Sequence, residues 1–175
     1  KIENTIKLNT KRMVGLQRGL ARCKKGSKNR YKMKLKIQRL YQKIRNARKH
    51  MIHDITNKLI NENDIIVTEN LDVKGMQKNH YVAKGLNENP ISEIIRVLKY
   101  KADWNNKRII QIDRYYPSSQ ICNVCNYQNK EVKDLSIRNW ECPVCHTEHE
   151  RDYNAAVNIM FKGLEKYMLY LEQSI

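Results

Sequence analysis

Apolar positions at Met13, Leu16, Leu20 and Cys23 recur every three or four residues and predict an amphipathic helix over residues 11–24. Gly15 and Gly19 weaken it, each by about 1 kcal/mol relative to alanine in a helix interior, so this helix depends on a packing partner. Lys25-Gly26-Ser27 then offers a C-terminal glycine followed by an N-cap serine. Beyond it Met33, Ile37, Leu40, Ile44, Ala47, Met51, Ile55 and Leu59 keep the same spacing, which predicts one long helix of roughly 45 Å at 1.5 Å per residue. The two stripes predict an antiparallel helical hairpin. Lys32, Lys34, Lys36, Arg39, Lys43, Arg45, Arg48 and Lys49 are spread around its outside.

From Asp64 the pattern changes. Ile65, Ile66, Val67 and Thr68 form a short β-branched run that fits a buried strand ending at Glu69-Asn70-Leu71. Residues 72–90, with Gly75, Asn79, Gly85, Asn87 and Pro90, read as a polar connection. Ile91, Ile94, Ile95, Leu98 and Ala102 mark a helix, and Arg108 to Asp113 a second strand. Strand, helix, strand predicts a parallel pair with a right-handed crossover. A last helix over residues 152–171, carrying Ala155, Ala156, Ile159, Met160, Leu164, Met168 and Leu171, can pack on that pair. The predicted class is α/β.

Composition sharpens this picture in one respect. The 175 residues carry a formal charge of +16, and residues 1–62 hold 19 Lys and Arg against Glu3, Asp54 and Glu62, while the other 113 residues balance at 15 against 15. A neutral body with one basic arm points to a polyanion, most simply a nucleic acid whose released counterions drive binding. A solvated coiled-coil hairpin is the alternative, although such surfaces normally mix both signs of charge. No stretch approaches the ~18 apolar residues of a membrane span, and no apolar leader follows the N-terminus, so a soluble, cytoplasmic protein is expected. The chain begins with Lys1 and not methionine, from which we expect a piece of a longer protein.

The cysteines carry the strongest chemistry. Four of the five fall as Cys122-x-x-Cys125 and Cys142-x-x-Cys145, sixteen residues apart, a spacing in which two tight turns offer four thiolates to one tetrahedral zinc. Four thiolates close the coordination sphere, so this zinc is structural. Cys23, on the helical stripe, reads as a small buried apolar residue. Ser136 to Trp140 can form ribbon strands, and His146 and His149 read as surface or nucleic-acid contacts. The cysteine module lies between a strand and the final helix, as an insertion.

Glu69 ends a strand and Asp152 opens a helix built on that strand, so the two carboxylates can meet at one edge of the sheet. Ligands in open α/β sheets gather at the carboxyl ends of strands, and paired carboxylates there can hold magnesium for phosphodiester hydrolysis. Each residue also has an ordinary reading: a Glu after a strand is commonly a solvated turn residue, and an Asp in a first helical turn is favoured by the helix dipole.

Gln17-Arg18 with KKGSKNR at 24–30, TENLDVKGM at 68–76, YYPSSQICNVC at 115–125, CPVC at 142–145 and RDYNAAVNI at 151–159 occur in an order that resembles the C-terminal half of the TnpB (OrfB) proteins of insertion sequences, relatives of type V CRISPR effectors. The resemblance covers nearly the whole chain. It implies an RNA-guided DNA endonuclease, also described as a transposase, with DNA and a guide RNA as partners. The implied fold is a partial RNase H-like (RuvC) domain interrupted by a zinc ribbon: residues 1–62 the basic hairpin, 63–114 strand-helix-strand, 115–150 the ribbon, and 151–175 the last helix. Of the three acidic metal ligands of that family, Glu69 matches the second and Asp152 the third, with magnesium as the implied catalytic ion. Residues 1–10 contain no strand to match the first, so the chain by itself is expected to be inactive, a nucleic-acid-binding module or a remnant. Where the family has glycine after each C-x-x-C pair, this sequence has Asn126 and His146.

Overall fold

A computed structural model describes residues 2–72, 75–76 and 91–173. The polar connection expected at 72–90 lies mostly outside them. The chain divides into two compact units, Lys1–Leu59 and Ile60–Ile175.

The first unit is a helical hairpin of α1 (Ile2–Arg22) and α2, which runs from Lys28 to Glu62 across the boundary. Gly26 turns the chain with φ 81°, and the Ser27 hydroxyl accepts the Arg30 backbone N–H at 3.2 Å, an N-cap. Arg30 Nη1 donates to Leu20 O at 2.8 Å, a second bond to a C-terminal carbonyl of α1 that also accepts the Cys23 N–H at 3.2 Å. Gln17 Nε2 donates to Tyr41 Oη at 3.3 Å, so the helices run antiparallel. They approach closely at Gly19, where an added Cβ would stand 3.0 Å from Met33 Cε.

The hairpin differs from its sequence pattern in two places. Helix α1 begins at Ile2, nine residues before the expected start, because its seam runs through Ile2, Ile6 and the buried polar Asn9. In α2 the expected seam residue Ile55 is exposed, whereas Ile52 and Thr56 are buried. A 3.6-residue helix drifts off a stripe of shorter period. Thr56 tolerates burial because its hydroxyl donates to Ile52 O at 2.7 Å. Cys23 is half-buried, its thiol 3.4 Å from Gly19 O.

In the second unit, β1 (Ile65–Glu69) pairs in parallel with β2 (Arg108–Ile112), in register from Ile65 opposite Arg108 to Glu69 opposite Ile112. Between them, α3 (Ile91–Trp104) buries Val97, Leu98 and Ala102. The closing helix α4 (Arg151–Glu172) packs on both strands, with Gly163 against Val67 and Lys166 Nζ donating to Gln111 O at 2.8 Å. The segment before α4 holds a 3-10 turn at Lys130–Lys133 and an antiparallel ribbon of β3 (Asn139–Glu141) and β4 (Glu148–Glu150). Strand structure is thus shorter than Ser136–Trp140 suggested, because Asp134 and Ser136 form a turn in which the Ser136 N–H donates to Asp134 Oδ1 at 2.8 Å. Among the described residues no helix is long and apolar enough to cross a membrane.

Candidate metal centre and neighbouring carboxylates

The two C-x-x-C segments fold as near-identical knuckles. Cys122 O accepts from Asn126 N and Cys142 O from His146 N, each at 2.9 Å. The return bonds, Cys122 N to Tyr127 O and Cys142 N to Thr147 O, are also 2.9 Å. Such turns require a left-handed residue, supplied by Asn126 (φ 62°) and His146 (φ 58°) in place of glycine.

This geometry converges the thiols of Cys122, Cys125, Cys142 and Cys145, whose sulfur atoms all lie within 4.8 Å of one another. The Cys122–Cys145 and Cys125–Cys142 separations are 3.6 and 3.5 Å. Zinc–sulfur bonds of about 2.3 Å in a tetrahedron set sulfur atoms roughly 3.8 Å apart, so the donor set fits zinc. The thiols are unequal: the Thr147 hydroxyl and backbone N–H lower Cys145 to about 6. Cys125 is drawn down most by the Tyr127 backbone, yet burial and the adjoining thiols leave it raised to about 12. Burial also raises Cys122. A divalent cation would relieve this conflict by stabilising all four thiolates at once.

Around the cysteines the apolar support is small: Val132 and Trp140, with Ile137 at the edge. His149 belongs to this cluster. The expectation that it is a surface or nucleic-acid contact is overturned, since it is 7% exposed, tilted against Trp140 at 4.6 Å between ring centroids, with Nε2 3.1 Å from Cys122 Sγ. The reason is the period of β4, where Glu148 and Glu150 face outward and His149 inward. His146 stays on the surface, its Nδ1 2.9 Å from Glu141.

The ribbon is tied to α4 by three polar residues of one helix face. Arg151 Nη1 donates to Asp134 O at 3.2 Å. Asn154, 1% exposed, accepts the Asn123 N–H at 3.1 Å and donates to Ile121 O at 2.7 Å. Asn158, 4% exposed, donates to Ser118 O at 2.8 Å and Ile121 O at 2.6 Å. Sequence reasoning passed over these amides; the signal was their four-residue spacing on a helix.

Glu69 sits half-buried at the carboxyl end of β1, where Oε1 accepts the Ser118 hydroxyl at 2.9 Å. Asp152 is in the first turn of α4, well exposed, with Oδ2 3.5 Å from Arg138 Nη1. It precedes Gly163 by eleven residues, about three helical turns, and so leaves α4 on the face that Gly163 lays against Val67. The two carboxylates thus have separate partners. Among the described residues, the four cysteines are the one group of three or more His, Cys, Asp or Glu side chains close enough to share a metal ion.

Residues 3–80 match the family described as "Probable transposase" (OrfB_IS605), and residues 92–159 the "Cas12f1-like, TNB domain". A protein of Streptomyces pristinaespiralis, provisionally named an RNA-guided DNA endonuclease, is 35% identical over 153 residues, covering 87% of this chain and 38% of its own length. InsQ of Escherichia coli K12, with the same provisional name, is 33% identical over 175 residues, covering 91% and 43%. A Mycobacterium tuberculosis protein so named is 30% identical over 151 residues, covering 82% and 32%. The chain therefore spans about two fifths of the length of these relatives. In fold it is similar to Cas12f1 as seen in a complex with sgRNA and target DNA, with a TM-score of 0.59 at 22% identity over 86% of this chain and 40% of that one.

Proposed function

We propose, from the match of residues 3–80 to the OrfB_IS605 probable-transposase model and of residues 92–159 to the Cas12f1-like TNB model, that this chain acts in RNA-guided, metal-dependent DNA cleavage for an insertion sequence. The carrying observation is the similarity, over 82–91% of this chain, to three proteins provisionally named RNA-guided DNA endonucleases. On this reading β1, α3, β2 and α4 are part of an RNase H-like (RuvC) unit, with residues 115–150 inserted as a ribbon whose cysteines hold structural zinc. The basic hairpin contacts phosphates of the guide RNA or target DNA, in the cytoplasm.

Glu69 and Asp152 are the residues that would hold magnesium. A divalent ion there supplies charge neutralisation at the phosphodiester and a more acidic water. Glu69 offers a carboxylate at the end of a parallel strand, the usual place for ligands in such sheets, and Asp152 offers one from the helix face that Gly163 lays on β1. The test is guide-directed cleavage by the protein with its RNA, carrying Glu69→Gln or Asp152→Asn. A rate loss of about 100-fold or more with DNA binding retained is expected. Undiminished magnesium-dependent cleavage in either variant would refute the assignment.

A second reading has its own observation: Asp152 is turned to Arg138 and Glu69 to Ser118. On this reading the 175 residues alone bind nucleic acid without cutting it. Magnesium-dependent nuclease activity that copurifies with the 175-residue chain, and is lost in Glu69→Gln, would exclude it.

A further inference from the structure

Glu69 and the first cysteine knuckle lie more than fifty residues apart in sequence, yet an unbroken run of hydrogen bonds joins them. From Glu69 Oε1 it passes to the Ser118 hydroxyl at 2.9 Å, and the Ser118 carbonyl accepts from Asn158 Nδ2 at 2.8 Å. Asn158 and Asn154 both donate to Ile121 O, at 2.6 and 2.7 Å, and Asn154 Oδ1 accepts the N–H of Asn123, which stands inside the knuckle between Cys122 and Val124. Ser118, Asn154 and Asn158 are all buried, at 6%, 1% and 4% exposure.

Burial gives these contacts their consequence. A buried amide stripped of its partners keeps the cost of leaving water with nothing to offset it, so Asn154 and Asn158 resist any arrangement that breaks their bonds to the 118–123 segment. Ser118 is held from a further side, since its N–H donates to Tyr116 O at 2.8 Å, and Gln120 N donates to Pro117 O at 2.9 Å in the same turn. Its backbone is therefore fixed, and its hydroxyl has one acidic acceptor among the described contacts. Ser118 engages Oε1 of Glu69 and leaves Oε2 for another ligand.

We propose that Ser118 is a positioning residue for the Glu69 carboxylate, and that the metal-loaded first knuckle sets Ser118 in place through Asn154 and Asn158. The zinc site thereby governs the geometry of a carboxylate that it does not touch. The coupling rests on the contacts above; its importance for catalysis rests on the proposed role of Glu69 as a magnesium ligand. Residues that orient metal ligands commonly change metal affinity 10–100-fold when removed.

The test uses the zinc-loaded 175-residue chain and two readouts, the carboxyl carbon resonance of Glu69 by NMR and the affinity for Mn2+ in magnesium's place. Ser118→Ala is expected to move the Glu69 resonance and to weaken Mn2+ about tenfold. Ser118→Thr, which keeps the hydroxyl, restores both. Asn158→Ala moves the resonance in the parent chain but not further once Ser118 is alanine, with the cobalt-substituted thiolate spectrum confirming an intact ribbon. A Glu69 resonance indifferent to Ser118→Ala, or additive shifts in the double variant, overturns the proposal whatever the Mn2+ result. Should Glu69→Gln leave Mn2+ affinity unchanged, the ligand role of Glu69 falls, and the resonance shifts still decide the coupling.

Discussion

Gly163 of α4 lies so close to Val67 of β1 that a Cβ on the glycine would overlap both Val67 methyl groups and Val67 Cβ. This close approach sets how near the helix lies to the strand, and with it the position of everything on α4 relative to Glu69, two residues beyond Val67. Gly163→Ala therefore forces β1 and α4 apart. Overpacking of this kind costs about 1–3 kcal/mol, partly offset by the better helix propensity of alanine. Urea unfolding should show that loss, and Val67→Ala in the same chain should recover part of it. Additive losses in the double variant would mean that the two residues do not constrain each other.

The ribbon has too little apolar material to hold itself together. Val132, Trp140 and the cysteines form nearly all of its buried cluster, so metal binding must supply much of its folding energy. Chelation, or Cys142→Ser, is expected to abolish hydrogen-exchange protection from 120 to 150. Protection should also fall at Arg151 to Asn158, because Arg151 and Asn154 spend their polar groups on ribbon carbonyls and N–H groups. Unchanged exchange in that first part of α4 would show that the helix does not depend on the ribbon.

The knuckles make a finer prediction. Asn126 and His146 occupy equivalent left-handed positions, but asparagine enters that region far more readily than most residues. His146→Gly should raise the stability of the zinc-loaded protein by up to about 1 kcal/mol, and Asn126→Gly by less, while His146→Val should lower it by about 1–2 kcal/mol. Thermal melts at fixed excess zinc distinguish these outcomes. Equal stability of the valine and glycine variants would contradict a strained second knuckle.

Some of this architecture was legible from side-chain spacing. The cysteine pairs and the β-branched run at 65–68 carry their own geometry, because one metal and one strand pleat each impose a short, strict period. The hairpin was legible where its seam is apolar and failed where polar residues take seam positions: Asn9 hid the first half of α1, and Thr56 displaced Ile55. His149 was misplaced because a histidine between two glutamates looks solvated until the alternation of β4 is known. Asn154 and Asn158 could not be recognised singly, since their partners are backbone groups distant in sequence, and no residue pattern encodes a carbonyl; Ser118 meets a carboxylate 49 residues away that only the fold brings near.

The basic arm also gains a location. Arg12, Lys36, Arg39 and Lys43 line one groove between α1 and α2, over a floor that includes Gly15, Leu16 and Leu40, and no carboxylate lines it. Four cations without counter-charges repel one another, which a phosphate backbone relieves and an acid-rich neighbour on the same helices would have relieved already. Binding to duplex DNA should therefore weaken steeply with salt, by about 1,000-fold between 50 and 200 mM if six phosphates are engaged, and nearly equally for unrelated sequences. Replacing Lys36 and Lys43 by Gln removes two of those contacts. The slope of log affinity against log salt should then become shallower by about 2, with the helical content of the protein unchanged. An unaltered slope would place the phosphate contacts elsewhere on the hairpin, on the outward Lys32, Lys34 and Arg45 rather than in the groove.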